Sequence, residues 1–397
     1  MLAKKYKEML TKKSVIRELS EFATARGKEI GYENVFDYSL GNPSIPVPQK
    51  VTDYLIRTLS EENPMALHGY SPSLGIPEAK EKLAESLNRR FGMNYKGTHI
   101  FMTSGAAGAI AHAVRCVTEP GDEVLAFAPF FPEYIPYINH SGAVLKTVAP
   151  QTKDFQINFE EFEKMLTDKV AAVLINTPNN PSGVAYSEET LTKLANLLEE
   201  KSKEFGHEIY LISDEPYREI TFDGVESPYP SKFYKYTLSC YSFSKSLSLP
   251  GERIGYVAVH PDCPEAETMV VMMGQISRGI GHNCPASLFQ LAVAENADLT
   301  ADLSVYEKNM NIIYDTLMEL GFTCVRPNGT FYIFPKALED DAIAFCKKAL
   351  KYDLVLVPAD SFGCPGYFRM AYCIDTEKVE RSMVALKKFV ETEYPNR

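Results

Sequence analysis

Between His99 and Val259 the chain repeats one alternation: a short apolar run, then a longer stretch with helical spacing. The apolar runs are HIFMT, DEVLAFA, AVLKTVA, KVAAVLIN, EIYLISD, YTLSCYS and RIGYVAV. Strands this apolar throughout are buried on both faces, so the alternation predicts a three-layer αβα unit with a mostly parallel sheet covered by helices on either side. The flanking sequence reads differently. Val15, Ile16, Leu19 and Phe22 fall at helical spacing before Gly31, helices are expected at about 49–60 and 76–91, and Pro77 sits in the first turn of the second. Leu40–Pro48, LGNPSIPVP, has too many prolines for regular structure and predicts a loop. Towards the C-terminus, long helical patterns near 285–320, 339–350 and 376–393 surround short strands at TFYIF, LVLV and YFRMAY, which predicts a smaller α+β unit. At 397 residues the chain exceeds what one ordinary core serves, and the expected division is a large domain over 49–284 and a small domain made of 1–48 and 285–397.

Charge and cysteine usage narrow the partners. A net charge of -11 argues against a nucleic-acid partner, which normally requires clustered Lys and Arg. The basic start, MLAKKYKEMLTKK, lacks the apolar core of a secretory signal, and no stretch approaches the ~20 apolar residues of a membrane span, so no membrane association is expected and the expected location is the cytoplasm. The 8 cysteines show neither C-x-x-C pairs nor zinc spacing with histidine, which predicts reduced thiols and no metal.

In a sheet of this kind ligands gather beyond the carboxyl ends of the strands. Four of those ends carry unusual residues. After HIFMT come the small residues Ser104–Ala109, whose N–H groups could hold a phosphate or could simply allow close packing. TPNNPSG (Thr177–Gly183) follows the fourth run, DEPY (Asp214–Tyr217) ends the fifth, and FSKSLSLPGERIGY (Phe243–Tyr256) follows the sixth. Alone, the second is a turn, Asp214 a helix cap and Lys245 a solvated lysine among serines.

Their order changes that reading. NTPNNPSG at Asn176–Gly183, DEPY, SFSK followed by GERIGY, and FRMAY at Phe368–Tyr372 together resemble the class I/II aminotransferases of the aspartate-aminotransferase superfamily, over nearly the whole chain. The resemblance implies fold type I and pyridoxal 5′-phosphate, with Lys245 as its Schiff-base lysine and as the carrier of the proton between Cα and C4′. It further implies that Asp214 pairs with the pyridine nitrogen and that Tyr217 and Asn180 hydrogen-bond the phenolic oxygen. Phe131, in APFFPEY, would stack on the ring. Gly105, Ala106, Ala107, Ser242, Ser244 and Arg253 would hold the phosphate, and Tyr70, in HGYSPSLG, would reach a neighbouring subunit's phosphate, which implies a homodimer. Arg369 matches the arginine that binds the substrate α-carboxylate, and Gly41 a backbone position close to the substrate.

Thr330 and Ala359 depart from the family's alanine and glycine, and MMGQISRGIGHNCPA (Met272–Ala286) is richer in glycine and more basic than the pattern. Arg278 there is a candidate reader of a distal carboxylate or an ordinary solvated arginine, and His282 reads as a polar loop residue. The activity implied is transfer of an amino group from an aspartate-type, alanine or aromatic L-amino acid to a 2-oxo acid such as 2-oxoglutarate. A carbon–sulfur β-lyase on the same scaffold is the alternative, because the shared residues form the carbanion without dictating its fate. A regulatory module would need a DNA-binding segment, which is not expected because the residues before the first matching loop read as helix of the small domain. A nucleotide-binding α/β protein would need a P-loop or G-x-G-x-x-G after a strand, which these runs lack.

Overall fold

The computed structural model describes residue 2, residues 4–10 and residues 14–395. All seven expected runs form strands of one sheet: β1 (Ile100–Thr103), β2 (Glu123–Phe127), β3 (Val144–Val148), β4 (Val170–Asn176), β5 (Tyr210–Asp214), β6 (Thr237–Ser242) and β7 (Gly255–Val259). Their order is β1-β7-β6-β5-β4-β2-β3. β2 to β6 run parallel, and β7 is antiparallel to both of its neighbours. β1, β6 and β7 are buried along their whole length, as a sheet covered on both faces requires, but the edge strand β3 departs from that expectation, with only Val148 buried. Apolar layers lie on either side: one joins Ile110, Ala113 and Val114 to Val257, Met269 and Met273, the other joins Leu125 and Val173 to Leu194 and Leu198.

The reversed strand positions the site. Ser242 at the end of β6 is in register with Gly255 at the start of β7, so residues 243–254 leave and re-enter the sheet at the same edge. Thr103 at the end of β1 is also in register with Gly255, which brings the following helix, Gly105–Val117, to that edge too. On the next strands Asn176 pairs with Asp214. Every unusual strand end thus opens on one side of the sheet.

Around this unit lie short strands and helices. Phe36–Asp37 pairs parallel with Leu354–Val355, and Val357–Pro358, Phe368–Ala371 and Tyr332–Ile333 form a three-stranded antiparallel sheet. Their core joins Phe36 and Tyr38 to Ile313, Phe345, Leu386 and Phe389, and also takes in Tyr217 and Ile220 from the large sheet's loops. Leu40–Pro48 is irregular, as its prolines require. One expectation is corrected: the pattern near 285–320 is two helices, Ser287–Glu295 and Ser304–Glu319. Asp298 in the break accepts from Ser86 at 2.5 Å and pairs with Arg89, and Ala301 N–H donates to the Ser246 carbonyl at 2.7 Å, contacts that draw the chain out of a helical path. We propose the division 49–284 against 1–48 plus 285–397, with Ser287–Glu295, which packs on helices Gln49–Glu61 and Pro77–Phe91, as the bridge.

Among the described residues no helix is long and apolar enough to cross a membrane, and no group of three or more His, Cys, Asp or Glu side chains is placed to hold a metal ion.

Candidate active site

The strand ends and the surrounding loops enclose a cavity of about 1070 Å³. Gly41, Ala106, Ala107, Phe131, Asn180, Asp214, Tyr217, Ser242, Ser244, Lys245, Arg253 and Arg369 all line it, although they come from segments more than 300 residues apart. Gly105 touches the same place from behind: a Cβ on it would lie 2.6 Å from an Arg253 terminal nitrogen, and its φ of 74° is one a side chain disfavours. Tyr70 is the exception, fully exposed and outside the cavity. Arg278 is exposed on the helix Ala266–Ile280 and also lies outside it.

Lys245 stands in the four-residue helix Phe243–Ser246, which Ser242 caps by accepting from Ser244 N–H at 3.1 Å. Its Nζ donates to the Gly41 carbonyl at 2.6 Å. Burial pushes the ammonium down to about 8, and the Arg253 and Arg369 charges act in the same direction. A lysine so disposed has a substantial neutral, nucleophilic fraction near neutral pH.

Asp214, at the end of β5, is buried; burial pushes its carboxyl up to about 7, the Glu215 carboxylate adds to this, and a 2.6 Å bond from the Tyr134 hydroxyl opposes it. That bond uses Oδ2, while Oδ1 is buried with no partner. Leaving such an acceptor unmet costs about 1–3 kcal/mol, so it calls for a ligand donor. Behind it Arg218 donates to Glu215 at 2.8 Å and lies against the rings of Phe91, Tyr229 and Tyr241, a buried assembly that fixes the loop after β5.

Arg369 lies on the strand Phe368–Ala371 and is almost wholly buried. One terminal nitrogen donates to Asn180 Oδ1 at 3.1 Å, the other to the Ser39 carbonyl at 2.5 Å, and Nε has no partner. Asn180 is itself held by its N–H bond to Asn176 Oδ1 at 2.7 Å, and Asn176 donates to the Asp214 carbonyl at 2.8 Å. A single chain of bonds therefore ties the buried arginine to the backbone of the residue that bears the buried carboxylate. At the opposite end, Ser242 and Ser244 hydroxyls lie 2.6 Å apart, and Arg253 reaches Ser244 Oγ at 3.4 Å beside the start of the helix Gly105–Val117. Hydroxyls, a guanidinium and a helix N-terminus together suit a phosphate.

These groups fit pyridoxal phosphate: an amine for its aldehyde, an unmet carboxylate oxygen for its ring N–H, an aromatic face at Phe131 and an anion cradle. Several site residues were not singled out from sequence. Tyr134, which donates to Asp214, and the lining residue Asn176 lay inside quoted motifs without a role, whereas the lining residues Tyr332, Ser39, Arg17 and Glu21 are brought in only by tertiary folding.

The Aminotransferase class I and II family matches residues 33–386, and the chain belongs to this family of pyridoxal-phosphate-dependent transferases. It is 30% identical to the aspartate aminotransferase of Bacillus subtilis (strain 168) over 93% of this chain and 95% of that protein. It is 28% identical to aromatic-amino-acid aminotransferase 2 of Thermococcus litoralis, covering 95% and 96%. Among solved structures it resembles an amino transferase from Eubacterium rectale with a TM-score of 0.96 and 43% identity, covering 99% of this chain and 100% of that one. The aspartate aminotransferase of Thermotoga maritima gives 0.88 and 27%, covering 98% and 100%.

Proposed function

We propose that Lys245 carries the cofactor and that the enzyme moves an amino group from an L-amino acid of the aspartate, alanine or aromatic type to a 2-oxo acid such as 2-oxoglutarate by a ping-pong mechanism. The observation that carries this reading is the pair of unmet buried groups, Asp214 Oδ1 and Arg369 Nε, on residues that line one cavity with Lys245. Bound pyridoxal phosphate supplies an aldehyde carbon that captures an amine and a ring that accepts the electron pair left at Cα. Arg369 receives the substrate carboxylate in its fork and orients the Cα–H bond. Lys245, once free, would take that proton and return it at the former aldehyde carbon, across the imine nitrogen. Asp214 keeps the ring nitrogen protonated, and Tyr217 and Asn180 face the phenolic oxygen. Phe131 stacks on the ring, while Ser242, Ser244, Arg253 and the N–H groups of Gly105, Ala106 and Ala107 hold the phosphate.

We further propose that a second copy of the chain completes the site. Ser71 and Cys284 share a 3.0 Å contact and Gln290 donates to Ser71 at 3.4 Å, so the loop after Tyr70 is tied to the loop after Arg278. Tyr70 and Arg278 are exposed, as are the apolar side chains Val271, Met272 and Ile280 of the same helix, a composition suited to a dimer face. Tyr70 would reach the neighbour's phosphate from there, and Arg278 the distal carboxylate of a dicarboxylic substrate. Eight free thiols agree with work in the reducing cytoplasm.

A panel of amino acids supplied without acceptor tests the reading. Each true substrate is expected to release one equivalent of its 2-oxo acid per subunit and then stop. Continuing release of pyruvate and ammonia from cystathionine would instead establish the β-lyase. Dicarboxylate conversion unchanged by Arg278→Ala would remove Arg278 from the specificity site.

A further inference from the structure

We propose that Tyr332 is a positioning residue serving both halves of the site: its ring holds the Arg369 fork open for a carboxylate, and its hydroxyl fixes the direction of the Tyr217 hydroxyl. This rests on Lys245 holding the cofactor with Tyr217 facing its phenolic oxygen.

The strand register creates the arrangement. Tyr332 is opposite Ala371 in an antiparallel pair, which places it diagonal to Arg369 on one face of the small sheet, within reach of long side chains. The Arg369 guanidinium carbon lies 4.6 Å from the Tyr332 ring centre and 5.1 Å from that of Phe362. A cation buried without a carboxylate is thereby held by two ring faces, with only its edge available to a ligand. The tyrosine's polar end has a different task. Its hydroxyl is 3.2 Å from that of Tyr217, with the two rings at 80°. A Cβ on Gly41 would fall 1.9 Å from this same oxygen, so Tyr332 occupies the space that glycine leaves beside the carbonyl receiving the Lys245 amine.

A buried hydroxyl in the stretch Phe331–Phe334 needs a partner, and Tyr217 provides it. With Tyr332 donating to Tyr217, the Tyr217 proton is left to point at the cofactor's phenolic oxygen. Loss of the Tyr332 hydroxyl frees Tyr217 to turn away. The phenolic oxygen then becomes more basic and holds the neighbouring imine proton more firmly, which raises the pH at which that proton is lost.

Two substitutions separate the tasks in the cofactor-loaded enzyme. Tyr332→Phe keeps the ring and removes the hydroxyl; Tyr332→Leu removes both. The readouts are the pH midpoint of the cofactor's absorbance and the Kd of two unreactive carboxylates, maleate and 3-phenylpropionate. Tyr332→Phe is expected to raise the midpoint by about half a unit to one unit while leaving both Kd values within about twofold. Tyr332→Leu is expected to raise the midpoint equally and to weaken both carboxylates roughly tenfold. If Tyr332→Leu does not load cofactor, Tyr332→Met, similar in volume and without a ring face, replaces it. An unmoved midpoint in Tyr332→Phe, or unmoved Kd values when the ring is removed, overturns the proposal. Wild-type enzyme whose absorbance does not titrate would instead overturn the assignment of Lys245, so the two failures are distinguishable.

Discussion

The two walls of the cavity are built in different ways. The wall bearing Asn180, Asp214, Ser242 and Lys245 is made of consecutive strand ends of one buried sheet, each fixed by register to its neighbour. The facing wall is assembled from Ser39 and Gly41 in an irregular loop, Tyr332 and Arg369 on strands of two and four residues, and Arg17 and Glu21 on an N-terminal helix. On the proposed assignment, the groups that would align the cofactor stand on the rigid sheet, and those that would receive substrates of differing shape stand on elements with few ladder hydrogen bonds, which can adjust as substrates exchange.

Substitutions can break this division in order of severity. Lys245→Ala removes nucleophile and proton carrier together, and transamination is expected to fall by roughly 10⁴-fold or more in a coupled 2-oxo acid assay. On the facing wall Arg369→Lys keeps the charge and loses the fork, so kcat/KM is expected to drop on the order of 10²-fold while the cofactor's absorbance is unaltered. A smaller effect is expected from Gly41→Ala, whose Cβ displaces the Tyr332 hydroxyl: KM rises about tenfold with cofactor affinity retained. Loss of cofactor from Arg369→Lys or Gly41→Ala, seen by dialysis and absorbance, would show that the walls do not act separately.

The mildest test uses pH and the cofactor-stripped chain. The Asp214 carboxyl rises from 3.8 to about 7 on folding, so across that range the folded chain retains a proton that the unfolded chain has released, and stability falls as pH rises. The Lys245 ammonium drops from 10.5 to about 8, so across that range the unfolded chain holds the extra proton, and stability falls as pH falls. Both penalties are complete between pH 7 and 8. A Tm minimum of a few degrees is expected there, and Asp214→Asn should flatten its acidic limb. A Tm insensitive to pH from 4 to 10 would mean that neither group is perturbed as burial requires.

The same division explains what could be read from sequence. The sheet wall was legible because its residues cluster in contiguous motifs at strand ends, and the eight-residue spacing of Lys245 and Arg253 reflects one loop closed by the β6–β7 register. Arg369 was visible only through FRMAY. Tyr332 and Ser39 were not, because their importance lies in meeting Arg369 from positions 37 and 330 residues away in the chain. The break at 296–303 was equally hidden: no proline or glycine marks it, and the pull of Ser86, Arg89 and Ser246 on its residues is long-range.

The central claim, that the strand-end wall presents Lys245 as the cofactor's anchor, is tested most directly by borohydride reduction of the loaded enzyme followed by peptide mass analysis. A reduced pyridoxyl phosphate adduct on the peptide containing Lys245, absent from Lys245→Ala, is the expected result. An adduct on another lysine, or none, would contradict the account.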